Sequence, residues 1–203
     1  MWALVEDNAI TKIINNPKAM VIDDVRHSRN IFSFRWSEEE RNNVGLYSVV
    51  IDNSNKRDET YYTNTNQSFA FADGVVTASF GSATAKALAD RNATDEDDVE
   101  LDPVVVIKGL KTLRKETIKN QASGLLTPTD WYIIKAVDVE SYSAPANIIT
   151  YRANIRTASN DMETIIDNAS DVDALATLYQ YVNTGTEEEP VMERPLGEFP
   201  EAV

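Results

Sequence analysis

The 203-residue chain has no cysteine and a single histidine, His27. Without cysteine it can have no disulfide, no thiolate zinc site and no thiol nucleophile. With one histidine it cannot build a metal centre from several imidazoles within one chain. A Ser-His-Asp triad would have to use His27, and no G-x-S-x-G turn exists to present its serine. His27 lies between Arg26 and Ser28 and reads as a partly exposed loop or strand residue. Positive charge is scarce as well: 19 Lys and Arg stand against 33 Asp and Glu, for a net charge of −14. A nucleic-acid surface needs clustered Lys and Arg to displace counterions from phosphates, so no nucleic-acid partner is expected. The same acidity argues against an anionic membrane surface. No apolar run approaches the roughly 20 residues of a membrane helix. The start, MWALVEDNAI, has neither the positive charge nor the apolar core of a secretory signal.

What is present is enough apolar material for a core, 42% of the chain, at a length that suits one large or two small domains. Residues 1–80 read as a small antiparallel β-rich module. WALVE (2–6) and AITKII (9–14) flank Asp7-Asn8, a turn pair. AMVIDDV (19–25), NIFSFRW (30–36) and LYSVVID (46–52) read as further strands. Ser37 with Glu40 forms a capping-box pattern for a short helix that Gly45 stops. TYYTN (60–64) and QSFAFA (67–72) follow, and Asp73-Gly74 then leads to VVTASF (75–80), a strong hairpin signal.

Residues 81–103 are small, polar and acidic, and read as a linker or an extended excursion between modules. The cluster Asp95, Glu96, Asp97, Asp98, Glu100 and Asp102 invites a calcium loop. The EF-hand pattern fails there, because Glu100 stands where glycine is required. A solvated acidic run is the simpler reading.

Residues 104–184 carry helical periodicity and predict a helical hairpin plus a short helix, giving an α+β protein overall. Ile107, Leu110, Leu113, Ile118, Ala122 and Leu125 form one apolar stripe from Val104 onward. Lys108, Lys111, Lys115 and Lys119 form another stripe, expected to pair with acids elsewhere in the chain, for which the last helices offer Asp161, Glu163, Asp167, Asp171 and Asp173. Pro128 ends or kinks this helix. DWYIIKAVDV (130–139) fits helix or strand. Ser143 and Pro145 read as the start of a long helix with a narrow apolar seam over 145–169, suited to an intrachain hairpin or to bundling with another chain. A further cap at Ser170-Asp171 opens a short helix. Residues 185–203 form a Glu- and Pro-rich tail that alone could not bury enough apolar surface to order itself. A neighbouring chain is the simplest means of holding it.

Two strings stand out: LLTPTDWY (125–132) and TYRANIR (150–156). If the helices fold back on each other, Trp131, Asp130, Tyr151, Arg152 and Arg156 come together. Arg152 and Arg156 are four apart and share a helix face. A guanidinium there could stack on Trp131 or pair with Asp130. A packing clasp between two helices explains these residues more simply than a ligand site does.

Leu125-Leu126-x-x-Thr129-Asp130-Trp131, followed by Tyr151-Arg152 and Ile155-Arg156, resembles the LLxxTDW…YRxxLR pattern of tailed-bacteriophage tail assembly chaperone and tail-fibre-associated proteins. Ile155 stands in place of the leucine, and a further helix and an acidic tail follow the motif. The stretch IFSFRWSEEERNNVGLYSV (31–49) resembles the W-x-x-E-E-x-x-x-x-G lead-in of N-terminal modules in phage tail-associated proteins. The resemblance implies a non-enzymatic structural protein of the virion tail, made in the host cytoplasm, at the baseplate or fibre attachment. Its partners would be other tail or fibre proteins or copies of itself. A transient assembly chaperone, absent from the finished particle, is the alternative. No cofactor and no small-molecule substrate is expected. A glycan hydrolase would need two carboxylates held roughly 5–9.5 Å apart in a cleft, and no aromatic sugar platform is evident to accompany them.

Overall fold

The computed structural model describes residues 1–202. The chain is α+β and divides into two compact units, Met1–Thr84 and Ala85–Val203.

The first unit is built on a curled five-stranded sheet in the order β2-β1-β5-β8-β7. β1 (Trp2–Glu6) and β2 (Ala9–Ile14) are antiparallel, and Asp7 and Asn8 turn between them with φ of 51° and 62°. Short polar side chains tolerate that left-handed backbone, which matches the twist of a hairpin. β3 (Met20–Ile22) and β4 (Val25–His27) form a second small hairpin. A single strand over 19–25 is therefore corrected to two, because Asp23 and Asp24 take positive φ and reverse the chain. The strand read at 30–36 is also corrected. Residues 29–32 form a 3-10 turn, with Ser28 accepting from the Asn30 N–H and the Ser33 N–H donating to the Asn30 carbonyl. Serine side chains here compete successfully with a strand ladder.

α1 (Glu38–Asn42) has both halves of the capping box. Ser37 Oγ accepts from the Glu40 N–H, and Glu40 accepts from the Ser37 N–H. That backbone bond, the largest cause, together with the serine hydroxyl, holds the Glu40 carboxyl below its usual range. Gly45 follows with φ of 74°. A Cβ at Gly45 would lie 2.5 Å from the Val5 carbonyl oxygen, so only glycine fits where α1 hands the chain to β5 (Leu46–Asp52).

β6 (Tyr62–Thr63) is a two-residue strand, and β7 (Gln67–Ala72) and β8 (Val75–Phe80) form the hairpin at Asp73-Gly74. β8 pairs parallel with β5, Val49 opposite Val76. This corrects an all-antiparallel sheet. The connection over 53–66 carries the chain past β5, so that β8 inserts between β5 and β7.

β1 is buried on both faces, which explains its unbroken apolar run. Leu4 packs with Ile14, Ile22, Ile31 and Leu46 on one side. Ala3 and Val5 pack with Val76 on the other, where Ile10, Ile13 and Phe71 close the curl. His27 sits edge-on to Trp36, with ring centroids 5.6 Å apart.

The second unit begins at Ala85, within β9 (Thr84–Ala85), and continues to β10 (Arg91–Asn92), which pairs with β11 (Val106–Ile107). The acidic stretch is an extended excursion with short strands, and it serves the helix that follows. The N–H groups of Leu110 and Lys111 donate to the carbonyls of Ala87 and Leu88. The Gly109 N–H donates to Asp90 at 2.7 Å. These bonds satisfy donors that a helix start leaves orphaned. Asp95 is used inside its own turn, accepting from the N–H groups of Asp97 and Val99.

α2 (Leu110–Leu126) starts later than the periodicity predicts. Val104 to Ile107 is a β-branched run, which favours extended backbone over helix. A 3-10 turn at 127–129 around Pro128 leads into α3 (Asp130–Asp138), so DWYIIKAVDV is helical. α4 (Ala146–Asp167) starts at Pro145 without a side-chain cap, which moves the start past Ser143. α5 (Val172–Thr177) is capped by Asp171, whose side chain accepts from the Ala174 N–H.

α2 and α4 lie antiparallel, and their contacts come from complementary stripes. Ala122 packs with Tyr151 and Ile155. Lys115 pairs with Asp167 at 2.8 Å and Lys119 with Glu163 at 3.1 Å. The lysine stripe therefore meets acids of its own chain, as expected. Lys108 pairs with Glu116.

The tail makes contacts within its own unit. Leu196 is buried and its N–H donates to the Leu178 carbonyl. Phe199 packs on the Ala122, Tyr151 and Ile155 cluster. Tyr181 donates to Glu198 at 2.6 Å, which raises the Tyr181 pKa because that bond favours the protonated phenol. β12 (Val182–Asn183) and β13 (Met192–Glu193) pair around the Glu-rich segment. Two large apolar side chains spaced among charges, Leu196 and Phe199, supply the burial that composition alone hides.

Candidate functional site

Pro128 sets the geometry of the clasp. It ends α2, removes one helical N–H donor and tightens residues 127–129 into a 3-10 turn that begins at the Leu126 carbonyl. Thr129 Oγ1 donates to that carbonyl at 2.7 Å. Arg152, nearly two turns into α4, enters from the facing helix. Its Nη1 donates to the Leu126 carbonyl at 2.9 Å and to Thr129 Oγ1 at 2.5 Å. Its Nη2 pairs with Asp130 Oδ1 at 2.7 Å. One planar guanidinium thus ties the end of α2, the turn and the start of α3 to α4, which is the work a rigid fork of donors does well.

Arg152 and Thr129 are buried, and the Asp130 side chain is half exposed. Thr129 spends its hydroxyl on the clasp, so α3 begins with no side-chain cap. Tyr151 lies beside the clasp in the core, against Ala122, Ile155, Leu125, Leu126 and Phe199. Arg156 is exposed. Its Nη1 donates to the Arg152 carbonyl at 3.2 Å, four residues back.

Trp131 goes elsewhere. Its ring lies 3.8 Å from that of Tyr132, with the Lys135 ammonium 5.8 Å from its centroid. Of the two partners open to a guanidinium, Arg152 takes Asp130. Trp131 is 51% exposed, and with Ile134 at 60% and Val137 at 80% it forms an outward apolar ridge at a spacing of three. Tyr132, Ile133 and Ala136 take the half-buried face, and α3 contains no buried residue. The sequence strings thus separate into two parts: Asp130, Tyr151 and Arg152 hold helices together, and Trp131 faces outward.

The sequence reading missed Thr129, Ile134 and Val137. Thr129 stands beside Pro128 within the LLxxTDW string, where nothing local marks the partners of its hydroxyl. The ridge could have been found from the apolar residues Trp131, Ile134 and Val137 on one helical face once 130–139 is taken as helix.

Between α2 and α4 runs a groove of about 450 Å³. Its sides carry Lys119, Arg152, Arg156, Asp130 and Glu163, over a floor that includes Ala122 and Leu126. Among the described residues, no group of three His, Cys, Asp or Glu is arranged to hold a metal ion. Among the described residues, no helix is long and apolar enough to cross a membrane. Comparisons with protein-family models, with characterised proteins and with solved structures returned no match.

Proposed function

We propose that this chain is a non-enzymatic interaction protein of a tailed bacteriophage, associated with the tail at the baseplate or fibre attachment. The observation that carries the interaction part is the ridge of Trp131, Ile134 and Val137. A folded unit that leaves a tryptophan and two aliphatic side chains aligned on a helix with no buried residue has a face suited to another protein. Tryptophan is the residue type most enriched at the energetic centres of interfaces. The phage part rests on the resemblance of the LLxxTDW and YRxxIR strings. The clasp gives those strings a physical role, since it fixes the position from which α3 presents the ridge. The partners under this reading are other tail or fibre proteins.

Mass spectrometry of purified virions tests the proposal. The chain is expected among the tail proteins, and its absence from infectious particles would end the structural version. The same motif favours a second reading, a transient tail or fibre assembly chaperone. Copurification with unassembled fibre, combined with absence from virions, decides for that reading.

A further inference from the structure

We propose that the groove between α2 and α4 is a carboxylate-binding site, in which Arg156 receives a Glu or Asp side chain from an extended segment of a partner polypeptide. This inference stands on the groove alone and not on the phage reading. The groove is bracketed by two closed ion pairs, Arg152 with Asp130 at one end and Lys119 with Glu163 at the other. Between them stands Arg156, exposed and in no ion pair, in a chain with 33 acidic residues. A guanidinium has five N–H donors. Arg156 spends one, on a carbonyl of its own helix.

The surroundings complete a carboxylate site. The Ser123 hydroxyl and the Asn160 side-chain amide line the same stretch, and neither makes a hydrogen bond within the described residues. They are free to donate to the second oxygen of a carboxylate held by the guanidinium fork. Three cationic and two anionic side chains line the groove, which leaves one positive charge in excess. A monoanionic carboxylate neutralises it. A phosphate dianion would overfill it and face Asp130 and Glu163 as like charges. The floor of Ala122 and Leu126 suits apolar neighbours of the acidic residue. From Arg152 to Glu163 the helix rises roughly 16 Å, which matches about five residues of extended chain. That length favours a polypeptide segment over a small free acid.

The test titrates the full-length, isotope-labelled protein with the capped peptide Ala-Leu-Glu-Leu-Ala, with its Gln counterpart and with inorganic phosphate, following the arginine Nε–Hε signals by NMR. The Glu peptide is expected to shift the Arg156 signal saturably, at least about tenfold more tightly than the Gln peptide or phosphate. Read on the backbone amide signals of Ser123 and Asn160, which every variant keeps, R156Q is expected to abolish the peptide-induced shift with an unchanged melting temperature. R156K is expected to weaken it, because an ammonium loses the bidentate geometry. Equal binding of the Glu and Gln peptides, tighter binding of phosphate, or no saturable shift of Arg156 would overturn the site. Full binding by R156Q would overturn it as well.

Discussion

The paired helices α2 and α4 and the helix that joins them, α3, treat their apolar residues in opposite ways. α4 buries Ile148, Tyr151, Ile155, Met162 and Ile166, with Arg152 buried among them. α3 buries nothing and turns Trp131, Ile134 and Val137 outward. The two regions lie next to each other in sequence and are joined by the same clasp, so composition does not separate them. What separates them is the facing stripe. α4 meets the Ala122 side of α2, whereas among the described residues of this unit Trp131, Ile134 and Val137 on the outer face of α3 stay exposed. An apolar face that folding leaves bare is available for association.

Changes in the paired helices should therefore lower stability, and changes on the α3 ridge should not. The largest loss is expected from I155A, because Ile155 is fully buried against Ala122 and Tyr151. A cost of about 2–5 kcal/mol is usual for such a cavity. Chemical denaturation measures it, and a loss under about 1 kcal/mol would mean that α2 and α4 pack more loosely than described. R152M comes next. It removes the fork from the Leu126 carbonyl, Thr129 and Asp130 while keeping an apolar stem of similar length. Asp130 is half exposed and can be solvated, so the expected loss is about 1.5–3 kcal/mol rather than that of a fully buried pair. R152M should also displace α3, seen as changed Trp131 fluorescence. An unchanged spectrum would show that α3 is held by other contacts.

Much of the fold could be read from the sequence. The turn pairs Asp7-Asn8 and Asp73-Gly74, the Ser37 and Glu40 capping box and the Asp171 cap are local devices, and each lies where its chemistry places it. Some misreadings were local, as where Asp23 and Asp24 reverse the chain and Ser28 caps a 3-10 turn, and the larger ones were non-local. β8 pairs with β5 in parallel because the chain over 53–66 crosses over, and no residue near either strand signals that. The 81–103 stretch reads as a linker or an extended excursion because it has few apolar residues, yet its carbonyls and Asp90 serve as the N-terminal cap of α2. The tail reads as disordered by composition, but Leu196 and Phe199 suffice to dock it. For the candidate site, the pairing of Arg152 with Asp130 was open in the sequence as one of two choices. The outward turn of Trp131 depends on α3 being helical, which its ambiguous period left undecided.

Acid gives a smaller effect that again divides the regions. The carboxyls of Asp90 and Asp171 lie below their usual range, held mainly by the N–H groups of Gly109 and Ala174. A carboxyl with a depressed folded pKa contributes stability above its unfolded pKa, and that contribution disappears as pH falls through the folded value. Stability should thus decline below about pH 4. Exchange should rise first at the start of α2 and in α5. α3, which has no carboxylate cap, should show no such onset at its start. D171N keeps a capping acceptor without a titrating charge and should flatten the acid slope, as read by melting temperature against pH. An unchanged slope in D171N and in D90N would assign acid sensitivity to other groups.

The smallest effect on stability is expected on the ridge itself, where W131S combined with V137E should alter the folding free energy by less than about 0.5 kcal/mol. The same double variant is the most direct test of the account. Virions are purified from hosts supplying either the wild-type chain or W131S/V137E, and the copies per particle are measured by quantitative mass spectrometry. The account expects wild-type chain in the particle and at least about a tenfold loss of the variant, with an unchanged melting temperature. Variant and wild type incorporated equally, or neither found in the particle, would contradict it.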